Sequence, residues 1–113
     1  MIVDDSMFMR NWLRRILEKG GYTVEAEAGS GEEAVRIFRD KLPPFVMLDF
    51  TMPGMDGIST LKELKAINPS SHIIMCSSMG QQSLILEALQ LGATDFIIKP
   101  YFENLIPILD QLT

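Results

Sequence analysis

Carboxylate, hydroxyl and ammonium side chains lie at the ends of four short apolar segments of the sequence. Asp4 and Asp5 follow the first segment, Asp49 the third, Ser77 the fourth and Lys99 the fifth. Three carboxylates brought close together would repel one another and raise one another's pKa values unless a cation lies among them. Mg²⁺ would relieve that repulsion, because it prefers oxygen ligands and commonly binds one or two carboxylates together with a phosphate oxygen.

The central carboxylate, Asp49, is suited to accept a phosphoryl group. A carboxylate beside a metal can be the nucleophile that forms an acyl phosphate. The Ser77 hydroxyl and the Lys99 ammonium would supply the donors that phosphoryl transfer needs around the equatorial oxygens. Each residue alone indicates little, since an aspartate after a strand is most often a cap or turn residue and a lysine a solvated charge. Their joint placement at four segment ends predicts phosphoryl-transfer chemistry.

The pattern of elements predicts an α/β fold of five strand–helix units. Apolar, β-branched or aromatic segments predict strands at residues 1–3, 22–26, 45–48, 73–76 and 95–98. Segments with helical spacing follow them at 7–19, 32–41, 58–67, 81–91 and about 105–112. This alternation predicts a doubly wound parallel sheet with helices on both faces, although it does not give the strand order. Ligands of such sheets bind outside the carboxyl ends of the strands, where the polar residues above would converge.

Local signals refine the helices. One face of the first helix collects the apolar residues Phe8, Trp12, Leu13, Ile16 and Leu17. Ser30 followed by Glu33 predicts a capping box at the second helix. Three consecutive apolar residues at 84–86 span more than one face of the fourth, so at least one should face solvent. Pro107 is tolerated only in a first helical turn, so the last helix should begin near Asn104.

Composition limits the classes of function. The length of 113 residues with 47% apolar content fits one domain, residues 1–113. Ten basic residues against 15 acidic ones give a net charge of −5, with no basic stripe, which argues against direct nucleic-acid binding. The apolar runs are far shorter than the roughly 18 residues of a membrane span. The lone cysteine, Cys76, excludes a disulfide framework, and a cytoplasmic location is predicted.

Four motifs resemble the receiver domains of response regulators, especially the free-standing chemotaxis regulators. They are Val3-Asp4-Asp5-Ser6 and the stretches 48–57, 75–80 and 96–100. The separations of 28 residues from Asp49 to Ser77 and 22 from Ser77 to Lys99 agree with that family. The resemblance implies a flavodoxin-like (βα)5 sheet with strand order 2-1-3-4-5.

The resemblance also assigns roles to individual residues. It implies that Asp49 is the phosphoacceptor and that Ser77 and Lys99 contact the phosphoryl group. It implies a Mg²⁺ site formed by Asp4, Asp5, Asp49 and the Thr51 backbone carbonyl. Phe96 would be the switch aromatic, working with Ser77, and the Lys99–Pro100 peptide bond would be cis.

By the same resemblance the chain serves in a two-component phosphorelay and is not an enzyme beyond self-catalysed phosphorylation and dephosphorylation. The implied partners are a sensor histidine kinase and a downstream target protein, which would be a flagellar motor switch or a phosphatase if the pathway is chemotactic. The surface that changes on phosphorylation would comprise helix 4, strand 5 and helix 5.

Three alternatives stay open at the level of sequence. The chain could be a receiver cut from a longer DNA-binding regulator. The Asp49-Phe50-Thr51 segment is similar to the nucleophile motif of haloacid-dehalogenase-like phosphatases, although those enzymes place the nucleophile after the first strand. A flavodoxin-like flavin binder would need a phosphate-cradling loop after the first strand, where Asp4 and Asp5 would instead repel the flavin phosphate.

Overall fold

The computed structural model describes residues 1–113 as a five-stranded parallel sheet in the order β2-β1-β3-β4-β5. The strands are β1 (Ile2–Val3), β2 (Glu27–Ala28), β3 (Phe45–Asp49), β4 (His72–Ser77) and β5 (Asp95–Ile98). The helices are α1 (Met7–Lys19), α2 (Gly31–Lys41), α3 (Gly57–Ile67), α4 (Gln82–Gln90) and α5 (Leu105–Leu112). The predicted (βα)5 fold and its strand order are therefore confirmed. No helix has both the length and the apolar composition of a membrane-spanning segment.

The prediction of the second strand at 22–26 is wrong, because β2 comprises only Glu27 and Ala28. The register explains the difference. Strand β1 offers two residues for pairing, and parallel alignment places Ile2 opposite Glu27 and Val3 opposite Ala28. Residues 22–26 precede the first paired residue, Glu27, and have no neighbouring strand. The Ala26 carbonyl nevertheless accepts a hydrogen bond from Ile2 N at 3.1 Å. Alternation alone cannot show that a partner strand is this short.

Apolar side chains cover both faces of the sheet, as a doubly wound fold requires. One buried cluster joins the sheet to α2, α3 and α4, and includes Phe38, Leu61 and Ile85. The other joins the sheet to α1 and α5, and includes Leu13 and Leu109. Adjacent residues of a strand enter opposite clusters, since side chains alternate along it.

The apolar face predicted for α1 is only partly buried. Leu13 and Leu17 are in the core, but Phe8 is 73% exposed and Trp12 is 37% exposed. Both aromatic side chains lie at the margin of the packed face, where Trp12 forms edge contacts with Phe8 and with the buried Phe102. Helical spacing correctly predicted which face of α1 packs on the core. How much of that face is buried depends on how far the neighbouring elements extend over it.

Helix starts bring several loops into place around the carboxyl end of the sheet. Ser30 Oγ accepts a hydrogen bond from Glu33 N at 3.2 Å, and the Glu33 carboxylate accepts one from Gly29 N at 2.7 Å. Helix α5 begins directly after Asn104, which leaves Pro107 in its first turn as expected.

Gly57, the first residue of α3, packs directly on the end of β3. A Cβ atom at this position would overlap the Asp49 carbonyl oxygen and the Phe50 Cα. Gly57 N also donates a hydrogen bond to the Phe50 carbonyl at 2.9 Å. A glycine is therefore required for the start of α3 to lie this close to Asp49.

Candidate functional site

Three carboxylates meet at the carboxyl ends of β1 and β3. One oxygen each from Asp4, Asp5 and Asp49 lies within 4.8 Å of the others. Asp4 is 1% exposed and Asp49 is 6% exposed, whereas Asp5 faces solvent. The strand order produces this meeting, because β1 and β3 are neighbours in the sheet despite being separated by β2 along the chain.

Lys99, which follows β5, reaches across to two of these carboxylates. Its Nζ lies 2.9 Å from Asp4 Oδ2 and 3.1 Å from Asp49 Oδ1. Burial lowers the pKa of Lys99, but the hydrogen bond that Lys99 donates to Asp4 and the charges of both carboxylates outweigh burial, so the net shift is upward. The ammonium therefore stays charged at neutral pH. The Lys99–Pro100 peptide bond that follows is cis.

The electrostatics of Asp49 are governed by its position at the end of a buried strand. Burial raises the pKa of Asp49 above its ordinary value; Lys99 lowers it, and the nearby Asp4 raises it. The upward effects are the larger. A second positive charge near this carboxyl would therefore favour its ionised form.

The Asp4 side chain is held on both of its oxygens. Oδ2 is paired with Lys99, and Oδ1 accepts a hydrogen bond from Ser6 N at 2.9 Å. Ser6 in turn caps α1 by accepting a hydrogen bond from Met9 N at 3.2 Å. Arg10, on the second turn of α1, donates from Nη1 to the Asp4 backbone carbonyl at 2.7 Å. The sequence analysis did not identify Arg10, since nothing in the local sequence distinguishes it from the other basic residues of α1.

Asp49 differs from Asp4 in having one oxygen without a partner. Asp49 Oδ1 contacts Lys99 Nζ and accepts a weak hydrogen bond from Thr51 N at 3.4 Å. No hydrogen bond or ion pair involves Oδ2, and no buried side-chain oxygen of the protein lacks a partner. It follows that Asp49 Oδ2 reaches solvent.

Ser77 lies at the end of β4, where its backbone carbonyl accepts a hydrogen bond from Lys99 N at 2.7 Å. Its side chain hydrogen-bonds to neither Asp49 nor Lys99. Its buried hydroxyl lies 2.8 Å from the Ser78 carbonyl and 3.0 Å from Gln81 Oε1. Gln81 Nε2 donates to Thr51 Oγ1 at 3.0 Å. The sequence analysis placed Gln81 as the first residue of the fourth helix, whereas α4 begins at Gln82. It did not identify Gln81 as a site residue, because these side-chain contacts depend on the conformation of the loops.

The largest groove of the surface lies beside this site, over β5 and α5. It has a volume of about 630 Å³, and its lining includes Met79, Phe96, Tyr101, Pro107 and Ile108. Phe96 is half-buried between the groove and the core. On the adjacent α4, Leu86 is 63% exposed and Leu89 is 38% exposed, which confirms that part of its apolar sequence faces solvent.

The acidic cluster has the composition of a site for a hard divalent cation. All its side-chain donors are oxygens, and three carboxylates face a single ammonium, so the cluster carries an excess of negative charge. Oxygen-only sites with one solvent-facing carboxylate suit Mg²⁺, which retains several of its waters. The residues present therefore fit the metal that the sequence predicts.

Comparison with known proteins identifies the family. Residues 1–109 match the sequence model of the response regulator receiver domain. The chain belongs to this family. It is 52% identical over 101 residues to the chemotaxis protein CheY of Bacillus subtilis (strain 168), covering 89% of this chain and 84% of that protein. For the chemotaxis protein CheY of Thermotoga maritima the identity is 48% over 101 residues, with the same two coverages of 89% and 84%.

A solved structure shows the same receiver fold. A chain of the CheX-CheY-BeF3-Mg+2 complex from Borrelia burgdorferi superposes with a TM-score of 0.91 at 34% identity, over 98% of this chain and 85% of that one. The receiver is thus a phosphoacceptor module of two-component signalling. The comparisons do not favour the phosphatase or the longer DNA-binding regulator.

Replacement of Lys99 by methionine should destabilise the receiver. Without the ammonium, the buried Asp4 and Asp49 carboxylates would lose the one cation that contacts both of them, which should lower the free energy of unfolding by about 1–3 kcal/mol. Urea denaturation in EDTA at neutral pH measures the free energy of unfolding. Lys62→Met is the matched control, because Lys62 is exposed on α3, and it should change stability by no more than about 0.5 kcal/mol. Equal stability of Lys99→Met and wild type would contradict the proposed charge balance.

Proposed function

We propose that Asp49 accepts a phosphoryl group from the phosphohistidine of a sensor kinase, and that the modification switches a protein-binding face formed by α4, β5 and α5. One observation carries the choice of Asp49. Both oxygens of Asp4 are held by the protein, whereas Asp49 has one oxygen held by Lys99 and one that reaches solvent. A nucleophile needs such an unpaired oxygen, and Asp49 offers it beside a fixed positive charge.

The transfer uses this geometry directly. Asp49 Oδ2 attacks the phosphorus, a P–O bond forms, the P–N bond of the phosphohistidine breaks, and the imidazole leaves with the electron pair. Lys99 stays beside Asp49 Oδ1, where its charge stabilises the negative charge that accumulates on the phosphoryl oxygens. Asp4, Asp5, Asp49 and the Thr51 carbonyl would hold Mg²⁺. When bound, Mg²⁺ supplies further neutralisation of those oxygens.

The output surface is the groove and the exposed apolar residues next to it. Phe96 lines the groove and also packs against the core. A change in its rotamer would therefore change the shape of the groove and the packing of the core. Ser77, at the end of the neighbouring β4, is the residue that would move toward a phosphoryl group on Asp49. Phe96 lies on β5, which pairs with β4, and it is opposite Met75. A movement of Ser77, two residues after Met75, would therefore occur close to Phe96.

The relatives favour a role in chemotaxis. The two CheY relatives named above are chemotaxis proteins, and their sequences are 52% and 48% identical to this chain. The alignments cover 84% of each relative. We propose a chemotactic sensor kinase as the phosphodonor and, as the downstream target, a flagellar motor switch protein or a phosphatase. A cytoplasmic location follows from these partners. Turnover by the receiver itself would be limited to self-catalysed phosphorylation and dephosphorylation at Asp49.

Asp49→Asn should abolish phosphorylation by a small phosphodonor. With acetyl phosphate and Mg²⁺, the wild type should gain one acid-labile phosphoryl group and the variant none, because an amide is not a comparable nucleophile. Intact-mass spectrometry measures the adduct. Asp56→Asn is the control, since Asp56 is an exposed cap of α3 whose loss should leave the modification in place. Persistent acid-labile phosphate on Asp49→Asn would overturn the assignment.

Asp5→Asn should weaken the binding of Mg²⁺ strongly, by about tenfold or more. The change removes one of three carboxylates from a site that leaves several metal positions to water. Titration of amide chemical shifts with Mg²⁺ measures the affinity. Glu32→Gln, an exposed acidic residue of α2, serves as the control and should bind as the wild type does. An unchanged titration of Asp5→Asn would place the metal elsewhere.

A further inference from the structure

The Gln81 carboxamide joins the loop after β4 to the loop after β3. Its Oε1 accepts a hydrogen bond from Ser78 N at 2.7 Å and lies 3.0 Å from Ser77 Oγ. Its Nε2 donates to Thr51 Oγ1 at 3.0 Å. One side chain thus contacts Ser77, the neighbour of Ser77 and the residue two positions after Asp49.

The orientation of this carboxamide is determined by its partners. A backbone N–H can only donate, so the group facing Ser78 N must be the carbonyl oxygen, and the amide nitrogen must face Thr51. Gln81 is also the residue before the first turn of α4, yet its side chain makes no capping hydrogen bond to that helix. The side chain therefore hydrogen-bonds to residues after β3 and β4 instead of capping its own helix.

We propose that Gln81 is a positioning residue that holds Ser77 in its unphosphorylated arrangement and thereby sets how readily the receiver switches. This inference rests on the proposed function of Asp49. The Ser77 hydroxyl has one proton, and in this structure its acceptors are the Ser78 carbonyl and Gln81 Oε1, neither of which belongs to Asp49. To donate to a phosphoryl oxygen, Ser77 must give up these contacts.

The same interaction restrains the loop that carries Thr51. While Nε2 is hydrogen-bonded to Thr51 Oγ1, the loop after β3 is joined to the loop after β4. Gln81 itself is only half-buried and belongs to neither core cluster, so removing its carboxamide should not unfold the protein. Its contacts favour the unphosphorylated state, and their loss should favour the phosphorylated one.

The test compares Gln81→Ala with Gln82→Ala, which truncates the exposed neighbouring glutamine. The probe is beryllium fluoride with Mg²⁺, a mimic of the phosphoryl group on Asp49, and its affinity is measured by amide spectra. Gln81→Ala should bind the probe about twofold to tenfold more tightly than wild type, the range expected for one net hydrogen bond. Gln82→Ala should match wild type. Equal or weaker binding by Gln81→Ala would overturn the inference.

A double-mutant cycle separates positioning from a general effect on the fold. In a Ser77→Ala background the hydroxyl is absent, so the gain from Gln81→Ala should shrink to less than about twofold. An undiminished gain would show that Gln81 does not act through Ser77. If wild type and Gln82→Ala bind the probe and Asp49→Asn does not, the proposed function stands whatever Gln81 does. If wild type itself fails to bind, the proposed function fails and this inference fails with it.

Discussion

Two buried carboxylates that share one ammonium are the interaction on which the rest of this receiver depends. Asp4 and Asp49 would repel each other at the ends of adjacent strands, and Lys99 compensates them from the far side of the sheet. The compensation is incomplete because Asp5 adds a third carboxylate. The remaining negative charge suits the site to a divalent cation, and the unpaired oxygen of Asp49 suits this residue to the nucleophilic role that we propose for it.

The fold is the means by which these charges are brought together. The residues come from positions 4, 49 and 99, and only a parallel sheet in the order 2-1-3-4-5 places the ends of β1 and β3 side by side with β4 and β5 beyond them. Gly57 allows α3 to begin directly against Asp49. At the end of β4, Ser77 contacts Gln81, the residue directly before α4. This contact links the acidic site to α4, with its exposed leucines, and to the neighbouring groove beside Phe96.

The sequence predicted the parts of this arrangement that depend on residue type and order along the chain. Alternating strands and helices gave the fold class, and acids at strand ends predicted the cluster of Asp4, Asp5 and Asp49. What it missed depends on contacts between distant segments. The extent of β2 was set by the two residues of β1, and the exposure of Phe8 by the edge of the packed layer. Gln81 was missed because its partners lie at the end of β4, in the loop that follows β4 and in the loop that follows β3, and no local pattern encodes how these segments lie relative to one another.

The most direct test of the account is a comparison of amide spectra of the wild-type receiver with and without a phosphoryl mimic bound at Asp49 in the presence of Mg²⁺. The central claim is that a charge change at Asp49 is transmitted through Ser77 to a surface formed by α4, β5 and α5. We expect large shifts at Ser77, at Phe96 and along α4, in addition to those around the acidic cluster. Shifts confined to the residues near Asp4, Asp5 and Asp49, with α4 and Phe96 unmoved, would contradict the switch and leave only direct recognition of the phosphoryl group.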